Sequence, residues 1–235
     1  MTLLNNVVDL PVSSKGETSA ASLTTRIYER LRHDILSGEL APGKKLRIDE
    51  IKEVHGIGAS AIREALSLLT SEALVERMDH RGFRVSPVSK AGFEELFATR
   101  CWLEERALRE SISKGEVAWE EAIVLANFHM SRVKHSEAPD RLLENDLWET
   151  RHKAFHRALI ASCGSMLLLR FCDQMYDLNI RYRRVAAPPR DEERNVNAEH
   201  TAILDAVLSR DEEKSVELLI AHYRCTASFI SERLK

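Results

Sequence analysis

From residue 89 to the end, the sequence keeps a helical apolar period that only Pro139, Pro188 and Pro189 interrupt. A chain patterned this way must fold over most of its length as helices packed on one another. The segments 89–113, 116–135, 140–162, 165–185, 191–209 and 211–234 predict a six-helix bundle. Upstream the pattern is shorter and changes type. Leu23, Ile27, Leu31 and Ile35 recur every four residues before Gly38, which reads as a helix with a glycine stop. A short helix fits 48–54, Gly56 and Gly58 break it, and a third opens at Ser60 with Ile62, Ala65, Leu66 and Leu69 on one face. Residues 73–78 and 83–85 then read as two strands turned through Gly82, where a positive φ is expected. The expected fold is mainly α: an N-terminal winged helix-turn-helix with a small β-hairpin wing, then a C-terminal all-α six-helix bundle. Pro87 marks the boundary between a winged unit at 23–87 and a helical unit at 88–235, with a Ser-, Thr- and Asn-rich tail at 1–22.

Composition narrows the class. A hydrophobic share of 44% supports a real core, and no run of about 18 apolar residues is present to cross a bilayer. The opening residues lack the charged start and long apolar stretch of a secretory leader, so the expected address is cytoplasmic, with no membrane partner. Cys101, Cys163, Cys172 and Cys225 show no C-x-x-C spacing and read as reduced thiols. The net charge is −3, and segment 23–88 sets eleven basic residues against ten acidic ones. Bulk charge therefore gives no polyanion footprint, and winged helices also serve as protein-interaction modules.

If the winged unit meets duplex DNA, its third helix enters the major groove and the hairpin reaches the neighbouring backbone or minor groove. That places Ser60, Ala61, Arg63 and Ser67 nearest to bases and phosphates, with Arg63 able to grip a guanine edge or clamp a phosphate. Arg81 beside Gly82 would approach the minor groove, and Lys44, Lys45 and Arg47 are candidate phosphate contacts. The spacing Gly38, Leu40, Pro42, Gly43, Leu46 resembles the G-x-L-x-P-G-x-x-L opening of GntR-family transcription factors. Ile62-Arg63-Glu64-Ala65-Leu66, Leu74-Val75 and Arg81-Gly82-Phe83-Arg84-Val85 resemble the same family's recognition helix and wing. The resemblance implies a double-stranded operator as partner. One departure stands out: the family's usual Ser-Arg-Thr-Pro is Gly58, Ala59, Ser60 and Ala61 here, so a frequent base-reading arginine is Ala59.

In the helical unit, His152 and His156 are spaced i, i+4 and share one face of a helix, while His200 and His222 fall on the last two helices. Such a set can close on a divalent transition ion such as Zn²⁺ or Ni²⁺, or each imidazole can be an ordinary core residue. His33, His55, His80, His129 and His135 read as surface or ordinary core residues. Arg170, Asp173, Asp177, Arg181 and Arg184 alternate in sign at helical spacing and read as a solvated, ion-paired face.

Arg100 and Glu104, Phe155-His156-Arg157-Ala158-Leu159, Glu199-His200 and Leu218-Leu219-Ile220-Ala221-His222 resemble the FCD ligand-binding domain of FadR-type GntR regulators. In that class an aspartate and three histidines hold a metal. His156, His200 and His222 match the histidines, and His152 stands at the aspartate position. The resemblance thus implies either a four-His site or a three-His site with His152 turned away and Glu149 as substitute. It also implies Arg100 as clamp for a small carboxylate effector; Tyr182, four residues after Leu178, would line the cavity or belong to the core. Trp148-Glu149, His152 and Phe155-His156 are similar to the branch of carbon-starvation regulators that answer to dicarboxylates such as glutarate. The implied function is a homodimeric, metabolite-responsive regulator acting as a repressor. Alternatives are a metal sensor without an organic effector and a His-metal enzyme, for which neither an H-E-x-x-H spacing nor a clear general base is present.

Overall fold

The computed structural model describes residues 20–79, 81–135, 145–186 and 194–234. The expected tail up to residue 19, His80, and the prolines at 139, 188 and 189 lie outside the described residues. The N-terminal part runs α1 (Ala20–Ser37), β1 (Lys45–Leu46), α2 (Ile48–His55), α3 (Ala59–Ser71), β2 (Val75–Met78) and β3 (Gly82–Val85). The helical part follows as α4 (Lys90–Lys114), α5 (Val117–Ser131), α6 (Asp146–Leu159), α7 (Met166–Ala186), α8 (Val196–Leu208) and α9 (Glu212–Arg233). Among the described residues, no helix is long and apolar enough to cross a membrane.

The wing contains one strand that periodicity could not reveal. β1 pairs antiparallel with β3, Lys45 opposite Arg84, giving the order β1-β3-β2. Two residues are too few for a period-two signal, and the strand exists because Gly43 N–H and Val85 N–H bond across to Val85 and Lys44 carbonyls at 3.0 and 2.8 Å. The hairpin turn does need Gly82, whose φ is +87°. Ile27, Leu31 and Ile35 of α1 bury against Ile62, Leu66 and Leu69 of α3, with Val75 and Val85 closing the sheet side. The apolar stripes that marked these helices in sequence thus form one core.

The bundle core joins Leu108, Ile123, Phe155, Leu159, Ile203 and Leu219 from five helices. Side-chain caps set where several helices start: Ser89 Oγ accepts from Gly92 N at 3.1 Å, Asn145 Oδ1 from Leu147 N at 2.8 Å, Asn195 Oδ1 from Ala198 N at 3.0 Å and Asp211 Oδ1 from Lys214 N at 3.0 Å. Each such cap contributes about 1 kcal/mol.

α7 ties the two parts together, and this corrects the reading of its charged stripe. Asp177 and Arg181 are buried, not solvated. Asp177 accepts from Arg32 of α1 and from Lys153 Nζ of α6, the latter at 2.5 Å, while Arg181 donates to the Ser86 carbonyl. The neighbouring Leu178 packs on the winged core. Arg170 is exposed, Asp173 pairs with Arg157 at 3.2 Å and Arg184 with Asp146 at 2.6 Å, so the outer part of the stripe behaves as expected. Sign alternation cannot separate the two halves, because the partners of Asp177 and Arg181 come from distant parts of the chain.

Leu66 is fully buried and Leu68, on the same helix, is 46% exposed. Leu66→Ala should cost about 2–5 kcal/mol of folding stability, and Leu68→Ala about 0.5 kcal/mol or less. Urea denaturation followed by circular dichroism distinguishes them; equal losses would contradict this packing of α3.

Candidate metal centre and nucleic-acid interface

Four histidines from three helices meet inside the bundle. His152 and His156 come from α6, His200 from α8 and His222 from α9; all are buried, and one ring nitrogen of each lies within 4.8 Å of the others. Ring centroids are 4.5 Å apart for His152 and His156, 5.0 Å for His152 and His200, and 4.6 Å for His200 and His222. Trp148 stacks on His152 at 4.3 Å, and His135 lies 3.8 Å from Trp148 on its far end of this row of rings.

Hydrogen bonding around the cluster dictates which nitrogens face inward. The Tyr176 hydroxyl donates its one proton to Glu149 Oε1 at 2.6 Å, so its oxygen accepts from His152 Nδ1–H at 2.7 Å. The Tyr223 hydroxyl likewise donates to Glu104 and accepts from His156 Nδ1–H at 3.0 Å. His222 Nδ1–H donates to Glu199 Oε2 at 2.6 Å. Each of these three rings is therefore held in the tautomer whose Nε2 carries the lone pair, the arrangement that outer partners impose on metal-ligating histidines. Burial and the adjacent carboxylates push the Tyr176 and Tyr223 phenols well above their ordinary value, so both keep the proton this assignment requires. Burial also raises Glu199, but Arg194 and His222 outweigh it and lower the carboxyl to about 2.

Two consequences follow. His152 Nε2 and His156 Nε2 face each other at 2.9 Å with both lone pairs inward, an arrangement that a shared cation would satisfy. His200 is fully buried, and neither of its ring nitrogens has a hydrogen-bond partner among the described residues. Leaving such a group unpaired costs about 1–3 kcal/mol. Burial first, then the neighbouring imidazoles, drives His152, His156 and His200 well below the ordinary imidazole value, and burial lowers His222 as well. Neutral imidazole is the metal-ligating form. The residues present fit a divalent ion.

The other expected residues divide. Glu149 is not part of the cluster; Tyr176 and Arg183 occupy its carboxylate. Arg100 lies beside the cluster, its Nε on Glu104 Oε1 at 2.6 Å and its guanidinium 4.0 Å over the Tyr223 ring. Arg100 Nη2 is buried without a hydrogen-bond partner. Tyr182 is elsewhere: it packs with Phe93, Leu96, Ala186, Ile230 and Leu234, its ring 5.2 Å from Phe93. Tyr176 and Arg183, seven residues apart on α7, share the face toward the histidines, whereas Tyr182 is turned well away from Tyr176 around the helix. Tyr176, Tyr223, Glu104 and Arg183 complete the site and were not singled out as site residues from sequence; only Glu104 carried a signal, through its spacing from Arg100.

On the winged part, Arg63 and Ser67 of α3 line a groove of about 570 Å³ with Ile48 on one side and Arg77, Met78, Asp79, Gly82 and Phe83 of the wing on the other. Ser67 donates to the Arg63 carbonyl at 2.9 Å and keeps its oxygen as an acceptor. Lys44, Lys45, Ser60 and Arg81 are exposed. Ala61 is half-buried against the winged core, and Arg47 is engaged by Glu50 at 2.9 Å. Arg77, exposed and opposite Phe83 in the β2–β3 register, was missed because its strand carries no basic cluster.

Comparison with known proteins accords with this layout. The model of the bacterial regulatory proteins, gntR family, matches residues 23–85, and the FCD domain model matches 95–224. The chain is 37% identical over 211 residues to the HTH-type transcriptional regulator BphR of Paraburkholderia xenovorans, covering 90% of this chain and 86% of that one. It is 34% identical over 200 residues to the HTH-type transcriptional repressor GlaR of Escherichia coli, covering 83% and 90%. The E. coli McbR/YncC structure shares the fold at a TM-score of 0.73 and 18% identity, covering 89% of this chain and 97% of that one. With both unit matches and these relatives in hand, the chain belongs to the gntR family of bacterial regulatory proteins, a DNA-binding transcription regulator, not an enzyme, that carries an FCD domain.

Proposed function

We propose that this regulator is a homodimeric repressor whose FCD domain holds a divalent transition ion and, through it, senses a small organic acid. The observation that carries the reading is the pair of inward Nε2 lone pairs at 2.9 Å beside a fully buried His200 with two unpartnered nitrogens. His152, His156, His200 and His222 would hold the ion, and Zn²⁺ or Ni²⁺ suits four imidazoles. An ion that takes more than these four ligands would offer its remaining positions to a carboxylate. Arg100 would take a second anionic end, which favours a dicarboxylate such as glutarate; its Nη2, buried and without a hydrogen-bond partner among the described residues, supports that role. The name of the GlaR relative, a transcriptional repressor, supports repression as the sign of control.

The path to DNA in this reading runs through α7. Tyr176 bonds His152, and the next residue, Asp177, holds Arg32 of α1 and Lys153 of α6. α1 in turn packs on α3 through the winged core. An acid that binds one arrangement of this network better than another shifts the regulator away from its operator, by no more than that difference in affinity.

Metal analysis of purified protein should find about one ion per chain, strongly reduced in His156→Ala and His200→Ala; equal content in all three would refute the ligand set. Fluorescence anisotropy on a duplex from the chain's own upstream region should show binding that glutarate weakens, with a chelator abolishing the response. Metal-dependent DNA binding that ignores every acid tried would favour the metal-sensor reading instead. Asp177→Asn should retain the thermal stabilisation by metal and glutarate while blunting the loss of DNA binding. An undiminished response would remove Asp177 from the path.

A further inference from the structure

We infer that Arg77 is a phosphate contact, and that one strand of the duplex backbone runs through the groove between α3 and the wing. The lining suits that occupant: Arg63 and Arg77 supply cations for phosphate oxygens, and Ile48, Met78 and Phe83 supply apolar surface for deoxyribose faces. The groove has a volume of about 570 Å³.

The formal charge of the winged part hides this cation. Arg30 pairs with Asp34, Arg32 with Glu72 and Asp177, Arg47 with Glu50, and Arg84 with Glu76 at 2.7 Å. Each of these arginines has a carboxylate partner within the chain. Glu76 is the immediate neighbour of Arg77 in sequence, but strand alternation turns it to the opposite face, where Arg84 faces it across the ladder. Among the described residues, Arg77 pairs with no carboxylate. Because it stands on the strand itself and not in the turn that carries Arg81, it meets the backbone, while base edges are left to α3. Asp79 is the lining's carboxylate among the described residues and opposes phosphate there.

The test is a salt series by fluorescence anisotropy on two labelled 40-bp duplexes, one from the chain's upstream region and one of random sequence. Arg77→Gln should lower the slope of log affinity against log salt by about 0.9 per bound chain, weaken both duplexes by a similar factor, and leave the thermal midpoint unchanged. Arg77→Lys should restore most of the slope, and Asp79→Asn should tighten both duplexes. An unchanged slope in Arg77→Gln overturns the proposal, as does a loss confined to the upstream duplex, which would mean base reading. If Arg63→Ala weakens the upstream duplex while Arg77→Gln changes nothing, α3 docks as the family does and only the groove path is wrong.

Discussion

Two buried imidazole lone pairs pointing at each other set the terms for the whole helical domain. His152 and His156 cannot rotate to relieve the contact, because Tyr176 and Tyr223 hold their outer nitrogens and are themselves fixed by Glu149 and Glu104. Arg183 and Arg100 complete those carboxylates' bonding. The apparent tangle of buried charges is thus an ordered layer: guanidinium to carboxylate, carboxylate to phenol, phenol to imidazole. His152, His156 and His222 turn acceptor nitrogens to its inner surface, which a cation satisfies and a proton satisfies poorly, since burial disfavours imidazolium.

That layer also reaches outward. Tyr176 and Asp177 are consecutive on α7, so one helix carries both the support of His152 and the acceptor for Arg32 of the winged part. Consecutive helical residues point about 100° apart, which is why a single helix can face the bundle interior and the DNA-binding unit within one turn. Arg181, one turn further, adds its bond to the Ser86 carbonyl at the junction between the units. A partly buried ion pair at such a junction contributes little net stability by itself, yet losing one partner leaves the other costly, a property suited to coupling two arrangements.

The DNA-binding side shows how weak a guide net charge can be. One excess positive charge over the winged segment looks unpromising for a polyanion. Internal pairing removes several arginines from consideration together with an equal number of acids, leaving Arg26, Arg63, Arg77 and Arg81 exposed.

Apolar spacing alone was enough to locate the helices, since Leu23 to Ile35, Ile62 to Leu69 and the long run after residue 89 each bury the face their period marks. The histidine set was legible because i, i+4 spacing is itself a geometric statement for His152 and His156, the helical period put His200 and His222 on the last two helices, and resemblance joined the four. Tyr182 shows the limit: apolar periodicity says that a residue faces something, not which cluster it faces. Asp177 and Arg181 show the same limit for charge. The local sequence determined element types, because backbone preference and side-chain period act over a few residues. Tertiary structure decided the tautomers, the burial of the α7 stripe and the groove beside Arg77, because each depends on partners that only long-range packing brings within hydrogen-bonding distance.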